Sequence, residues 1–343
     1  MQNEPQRHHY IPRHYLENFS VSSGKFETLK KEKNRLILSK PNIRSLGMEL
    51  GYNKFNFDGK IHSLEEKFAK DWEDPFTNSN IWQQIKEFSI QSSDDVFDIS
   101  GGDINTLLAY VSHLRDRLPE RILSAQDVFD VACGAKQPDH PELLLSDIEV
   151  QQYSEIGSKY GGGKAFNLIM SDAGGLSSLS LSNCGVFIYT VPPEVHSDAS
   201  FLTHSSPIFQ NRWGYDPYDE MLFDVHSGNI EDPNHYYENI CLAISPHVFL
   251  VITPWRNIGE IVPVRATPLV FASINFHTLS SFLASRGSRH LIGRHDIIRY
   301  TLKEYASCGY LPNCIDIKDG ENSTVSEKFA QYEGELLSEL GTN

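Results

Sequence analysis

The chain has 343 residues, 40% of them hydrophobic and 22% charged, and a net charge of −15. That length supports one large core or two modest ones, and the acidic excess excludes broad non-specific binding of nucleic acid, which needs a cationic footprint. The five cysteines (Cys133, Cys184, Cys241, Cys308, Cys314) are odd in number and hold no C-x-x-C pair, which excludes a disulfide framework and a zinc ribbon and points to reduced thiols in a cytoplasm.

The charge is uneven along the chain. Residues 1–60 carry eleven Lys/Arg against six Asp/Glu, a surplus of five positive charges on an acidic body. The N-terminus is polar, with no apolar h-region, so no signal peptide is expected. Within it, the run Arg7 to Ser20 packs three histidines, two arginines and two tyrosines together. Pro12 suits the first position of a short helix, after which Tyr15, Leu16 and Phe19 share one face. Arg35–Ser39 and residues 54–58 read as short strands. Ser63 with Glu66 forms a capping-box pattern ahead of Leu64, Phe68, Trp72 and Phe76 at helical spacing, with Pro75 kinking or ending the element.

Asp103 is positioned to cap a second helix with Ile104, Leu107, Leu108, Val111 and Leu114 as its apolar stripe, closed by Pro119. Further helices are predicted near 124–132 and 146–171. The triplet Gly161-Gly162-Gly163 inside the latter fits no phosphate-binding fingerprint and reads as a hinge. From about 175 the texture becomes strand-like, at 178–181, 186–191, 200–203, 240–244 and 248–253. The connection 210–238 is polar and aromatic, with Trp213, Tyr215, Tyr218, Phe223, Tyr236 and Tyr237. Helices return at 267–286 and 294–306, and the acidic stretch 324–340 has an amphipathic helical pattern. No run approaches the roughly 18 apolar residues of a membrane span. The expected fold is α+β: one compact domain over 1–343, with a helical N-terminal half (1–172) packed on a mostly antiparallel sheet from the C-terminal half (173–310).

His8-His9-Tyr10-Ile11-Pro12, followed by Tyr15-Leu16 and Phe19, resembles the opening of the bacterial domain-of-unknown-function family 4238. Residues 53–57, Leu64-Glu65-Glu66, Arg115 and Ala243-Ile244-Ser245-Pro246 continue the resemblance. In Phe201-Leu202-Thr203-His204-Ser205-Ser206-Pro207, however, Ser205 stands where the family pattern has an acid. The resemblance implies no activity. A His-His pair before Ile-Pro also resembles the first strand of the His-Asn-His nucleases. That implies His9 as general base, His8 as metal ligand, and Arg7 or Arg13 as a phosphate clamp. The downstream Asn and His of that pattern find no match here.

The leading expectation is therefore a metal-dependent phosphodiesterase or nuclease, with a possible place in bacterial defence. His9, His8 and Glu66 would be catalytic, a divalent metal ion would sit on His8, His14 and Glu66, and Arg7, Arg13 and Arg115 would hold the nucleic acid or nucleotide. Plainer accounts compete. One histidine of the pair can anchor the N-terminal strand to a buried carboxylate while the other is solvated. Glu66→Lys70, Lys67→Asp71 and Lys70→Asp74 read equally well as surface ion pairs, and Arg115 as an ion-pair strut. Thr203 to Pro207 reads as a turn, and His226, His235, His247, His277, His290 and His295 as structural. The rival function is a non-catalytic sensor or binding module that uses the basic N-terminal segment and loop 210–238.

Overall fold

In the computed structural model, the described residues are 7–21, 24–32, 35–57, 60–90, 100–133, 146–160, 162–172, 184–192, 195–211, 213–216, 221–224, 239–253, 261–307 and 316–318. The pattern 324–340 lies outside them, as do residues 178–181 and most of 210–238. Strands come first: β1 (Arg7–His9), then the short helix α1 (Arg13–Glu17), β2 (Thr28–Glu32), β3 (Arg35–Ser39), β4 (Met48–Leu50), β5 (Lys54–Phe57) and β6 (Lys60–Ser63). Helices follow: α2 (Glu65–Phe68), α3 (Asp74–Thr77), α4 (Asn80–Ile90), α5 (Gly101–Asp116), α6 (Pro119–Ala132), α7 (Asp147–Tyr160) and α8 (Gly163–Asp172). The rest comprises β7 (Gly185–Thr190), β8 (Thr203–His204), β9 (Phe209–Asn211), β10 (Trp213–Asp216), β11 (Met221–Asp224), β12 (Asn239–Ser245), β13 (Val248–Thr253), β14 (Ile261–Arg265), α9 (Pro268–Ala284), β15 (His290–Ile292), α10 (His295–Ser307) and β16 (Asp316–Lys318).

Two five-stranded sheets organise the molecule. One has the order β14-β7-β13-β12-β9, the other β16-β3-β2-β15-β8. Within them β14–β7 and β16–β3 are parallel and the remaining pairs antiparallel. Every residue of β7, β12 and β13 is buried. Such strands read as continuous apolar runs because both faces of the sheet are covered.

The expected division into a helical first half and a sheet-bearing second half is overturned. Six strands occupy the first 63 residues, and the longest described helix, α9, lies in the second half with α10. The second sheet is composite. β2 pairs on one side with β3 and on the other with β15, where Thr28 faces Ile292. A strand such as Thr28–Glu32, ending in three charged residues, alternates poorly on its own; its ladder is completed by partners far along the chain, which no local pattern reveals.

Local corrections follow the same logic. Ser63 ends β6 rather than capping a helix, and the N-cap of α2 is Leu64. The spacing of Leu64, Phe68, Trp72 and Phe76 persists through a wide turn at Ala69–Glu73, which has π-helical geometry and precedes Pro75 near the start of α3. The cap of α5 is Ser100, whose Oγ accepts from the Asp103 N–H at 3.1 Å, with Asp103 three residues inside. The predicted helix 146–171 is divided at the glycines into α7 and α8; Gly163 opens α8, and a Cβ there would lie 2.6 Å from the Ala125 carbonyl of α6, so it permits a close helix crossing.

Candidate functional site

The opening motif is built on β1, which pairs with β4. His8 is completely buried, and its Nδ1 accepts the Asn53 N–H at 2.9 Å. The His9 N–H points to Glu65 Oε1 at 3.4 Å, and the other oxygen of Glu65 accepts from the Asn53 side chain. Burial lowers the pKa of His9, opposed by the fields of Glu65 and Glu73 and reinforced by Arg117 and Arg13. His14 hydrogen-bonds the Tyr110 hydroxyl through Nε2 at 3.0 Å and lies 3.9 Å from Glu73. Its pKa falls to about 4, chiefly through burial, with Glu73 opposing. Glu73 also pairs with Arg117 at 2.7 Å.

The proposed ligand set is only partly brought together. His9 and His14 both feel Glu73, whereas Glu66 is exposed. Arg13 is exposed and paired with Glu17 at 2.8 Å, while Arg7 is described only through the backbone of β1. Among the described residues, no group of three or more His, Cys, Asp or Glu is arranged to hold a metal ion.

Arg115 belongs elsewhere. It lines a cavity of about 410 Å³ together with Glu120, Arg121, His204, Ser206 and Phe209, among others. Three segments build its walls. The first is the break between α5 and α6, where Leu118 has extended geometry and Pro119 starts the next helix. The second is the turn that follows β8, whose residues 203–209 are all buried. The third is α9 with its C-cap, which contribute His277, Ser280, Ser281, Ala284 and the cap residue Ser285. Those five positions follow the i, i+3, i+4, i+7, i+8 spacing of a single helix face. On the other side of α9, Val270, Phe271, Ile274, Leu279 and Phe282 enter the core.

The floor of the cavity is a hydrogen-bond network. His204 Nδ1 lies 3.1 Å from Ser288 Oγ and accepts the Ser206 N–H at 3.3 Å; its Nε2 lies 3.3 Å from Ser281 Oγ. Burial holds the His204 pKa down at about 4, so the ring is neutral at pH 7. Glu120 Oε1 accepts the Gly287 N–H at 2.8 Å and the Ser285 hydroxyl. Burial would raise the pKa of Glu120, but Ser206, Ser285 and Gly287 outweigh it and keep the carboxyl low.

The motif and the cavity are joined by tyrosines. Tyr15 hydrogen-bonds Thr203 at 2.7 Å, and burial raises the pKa of Tyr10 to about 12, with Ser205 among the groups that oppose the rise. Tyr10 also packs, tilted by 46°, against Tyr52 at 5.0 Å between ring centroids, and the Tyr52 hydroxyl donates to the Arg117 carbonyl at 2.8 Å, beside the α5–α6 break. Thr203–Pro207 forms a turn, as its composition predicts, and this turn and His277 both line the cavity. The polar face of α9 was the missed signal: small polar residues at helical spacing on an otherwise apolar helix.

This is an α+β molecule with a polar cavity beneath a tyrosine-rich N-terminal motif. Residues 7–150 match the family described as "Protein of unknown function (DUF4238)", which bears out the resemblance carried by the opening motif. No curated protein and no solved structure matches the chain. Among the described residues, no helix is long and apolar enough to cross a membrane.

Proposed function

We propose that the protein is a small-ligand-binding module whose site is the cavity between the α5–α6 break, the turn after β8, and α9. The observation that carries this reading is the convergence of arginines, histidines, serines and one carboxylate from distant segments on one cavity of about 410 Å³, within the usual size of small-molecule sites. Gln210 stands at its wall and takes a 3.4 Å hydrogen bond from Arg121. A fragment screen by ligand-detected NMR tests the proposal. Binders should be lost in Ala284→Phe, which fills the cavity from its exposed α9 side. Binding unchanged in that variant places the ligand elsewhere and ends the proposal.

A second reading, a metal-dependent phosphodiesterase or nuclease acting through His9, is supported by the position of His9 in the field of Glu65 and Glu73. It requires divalent-metal-dependent cleavage of labelled DNA or RNA that disappears in His9→Ala while the melting temperature is kept. No cleavage on any substrate removes it.

A further inference from the structure

We infer that the cavity is a phosphoryl-binding site, in which Ser280 and Ser281 of α9 and Arg115 and Arg121 of the α5–α6 break hold the phosphoryl group of a small hydroxyl-bearing phosphate ester, of the sugar phosphate or nucleotide class. This rests on the ligand-binding reading above and assigns the chemistry of the ligand.

The direction of the protons carries the argument. Ser205 Oγ accepts two backbone N–H groups, from Arg289 at 2.8 Å and His290 at 3.1 Å. With both lone pairs engaged, its own proton must point onward, to Ser288 at 3.1 Å. Ser206 N–H points at His204 Nδ1, and an Nδ1 that accepts from a backbone amide carries no proton. The neutral ring therefore holds its proton on Nε2 and donates it to Ser281 Oγ. Ser281 is an acceptor in that bond, which leaves its hydroxyl proton for another partner at the cavity wall. The same holds for Ser280, whose Oγ accepts from the Tyr305 hydroxyl at 3.4 Å.

The cavity lining thus combines the hydroxyls of Ser280 and Ser281 with two guanidinium groups, Arg115 also 3.4 Å from Asp116 and Arg121 3.4 Å from Gln210. Hydroxyl and guanidinium donors lining one cavity are the complement of an oxyanion, and the planar fork of arginine matches phosphoryl oxygens in particular. The same proton order speaks against Ser281 as a nucleophile, because His204 Nε2 is already protonated and cannot take the serine proton. Glu120 sets the second requirement. Its carboxylate repels any phosphoryl dianion, and a ligand hydroxyl that donates to it offsets that repulsion, which favours a hydroxyl-bearing ester over the inorganic ion.

Calorimetry on the full chain with ribose 5-phosphate, ribose and inorganic phosphate tests this. Ribose 5-phosphate should bind about tenfold or more tighter than either of the others. Arg121→Gln and Ser281→Ala, both with wild-type melting temperatures, should each weaken it by about fivefold or more and bring it toward ribose. Equal affinity for ribose and ribose 5-phosphate, or unchanged affinity in both variants, overturns the inference. If ribose 5-phosphate fails to bind while uncharged fragments bind and are displaced by Ala284→Phe, the phosphoryl assignment falls and the ligand-binding reading stands. If neither binds, both fall.

Discussion

Tyr15 and Thr203, 188 positions apart in the chain, share a buried hydrogen bond of 2.7 Å, and the same tyrosine hydroxyl reaches the Ala243 carbonyl. Asn18, one turn later, donates to the Ile244 carbonyl at 3.0 Å. The opening motif therefore fastens β8 and β12, which belong to different sheets, at one point. Its aromatic residues make this junction, and its histidines serve locally: His8 anchors Asn53, and His14 satisfies Tyr110.

Removing that hydroxyl should be costly. Tyr15→Phe strips a partner from two buried groups and is expected to lower stability by about 1–3 kcal/mol. Thr203→Val removes the other end. Urea denaturation of the two single variants and the double variant should show the pair costing less together than the sum of the singles, because the bond can be lost only once. Strict additivity would mean that the two side chains do not interact.

The Glu73–Arg117 pair makes a sharper demand. Arg117 has a side chain only 1% exposed and packs over Phe68 at 5.6 Å, so Glu73 is the carboxylate that compensates a desolvated cation. Glu73→Ala leaves that charge stranded and should cost about 3–5 kcal/mol. Adding Arg117→Met should recover part of the loss, since the stranded charge goes with it. A Glu73→Ala variant as stable as wild type in a guanidinium titration would show the pair to be energetically idle.

Much of the architecture was legible where elements are long and locally consistent. The stripe of α5, the helix that begins near Thr267 and the apolar runs of β12 and β13 all follow from periodicity and composition. What stayed hidden depends on contacts across the chain. β2 is a strand because β15 lies beside it, and Glu65 looks like a helix-start acid until its carboxylate is seen holding Asn53 and the His9 N–H. The cavity was least legible of all. Its walls come from three separate segments, and His204, Glu120 and Ser281 are unremarkable residues until folding brings them within reach of one another. The polar face of α9 was the one local trace of it.

Gly163 gives a test of helix packing. A methyl group there would meet the backbone of Ala125 and Gln126 within 2.6–2.7 Å, and backbone cannot rotate away as a side chain can. Gly163→Ala should therefore force α8 off α6, with a loss of about 1–3 kcal/mol despite the better helix propensity of alanine. Thermal melts would check it. A variant with an unchanged or raised melting temperature would mean that the helices separate freely.

Acid sensitivity follows from three histidines. Burial depresses His14, His204 and His290 to about 4, with Lys30 and Arg289 adding to the effect at His290. The unfolded chain titrates its histidines near the ordinary value of about 6.5. Between those values the unfolded state binds protons that the folded state refuses, so stability rises with pH across the window. It is fully present above about 6.5, is lost progressively as the pH falls toward 4, and gains no further loss from these groups below that. Urea midpoints at a series of pH values through this window should fall steadily, and His290→Gln, half-buried at the end of β15, should make the slope shallower. A midpoint that stays constant through the window would show the three rings to be open to protons in the folded state. The cavity would then lose the neutral His204 on which its proton order depends, and with it the orientation of the Ser281 hydroxyl.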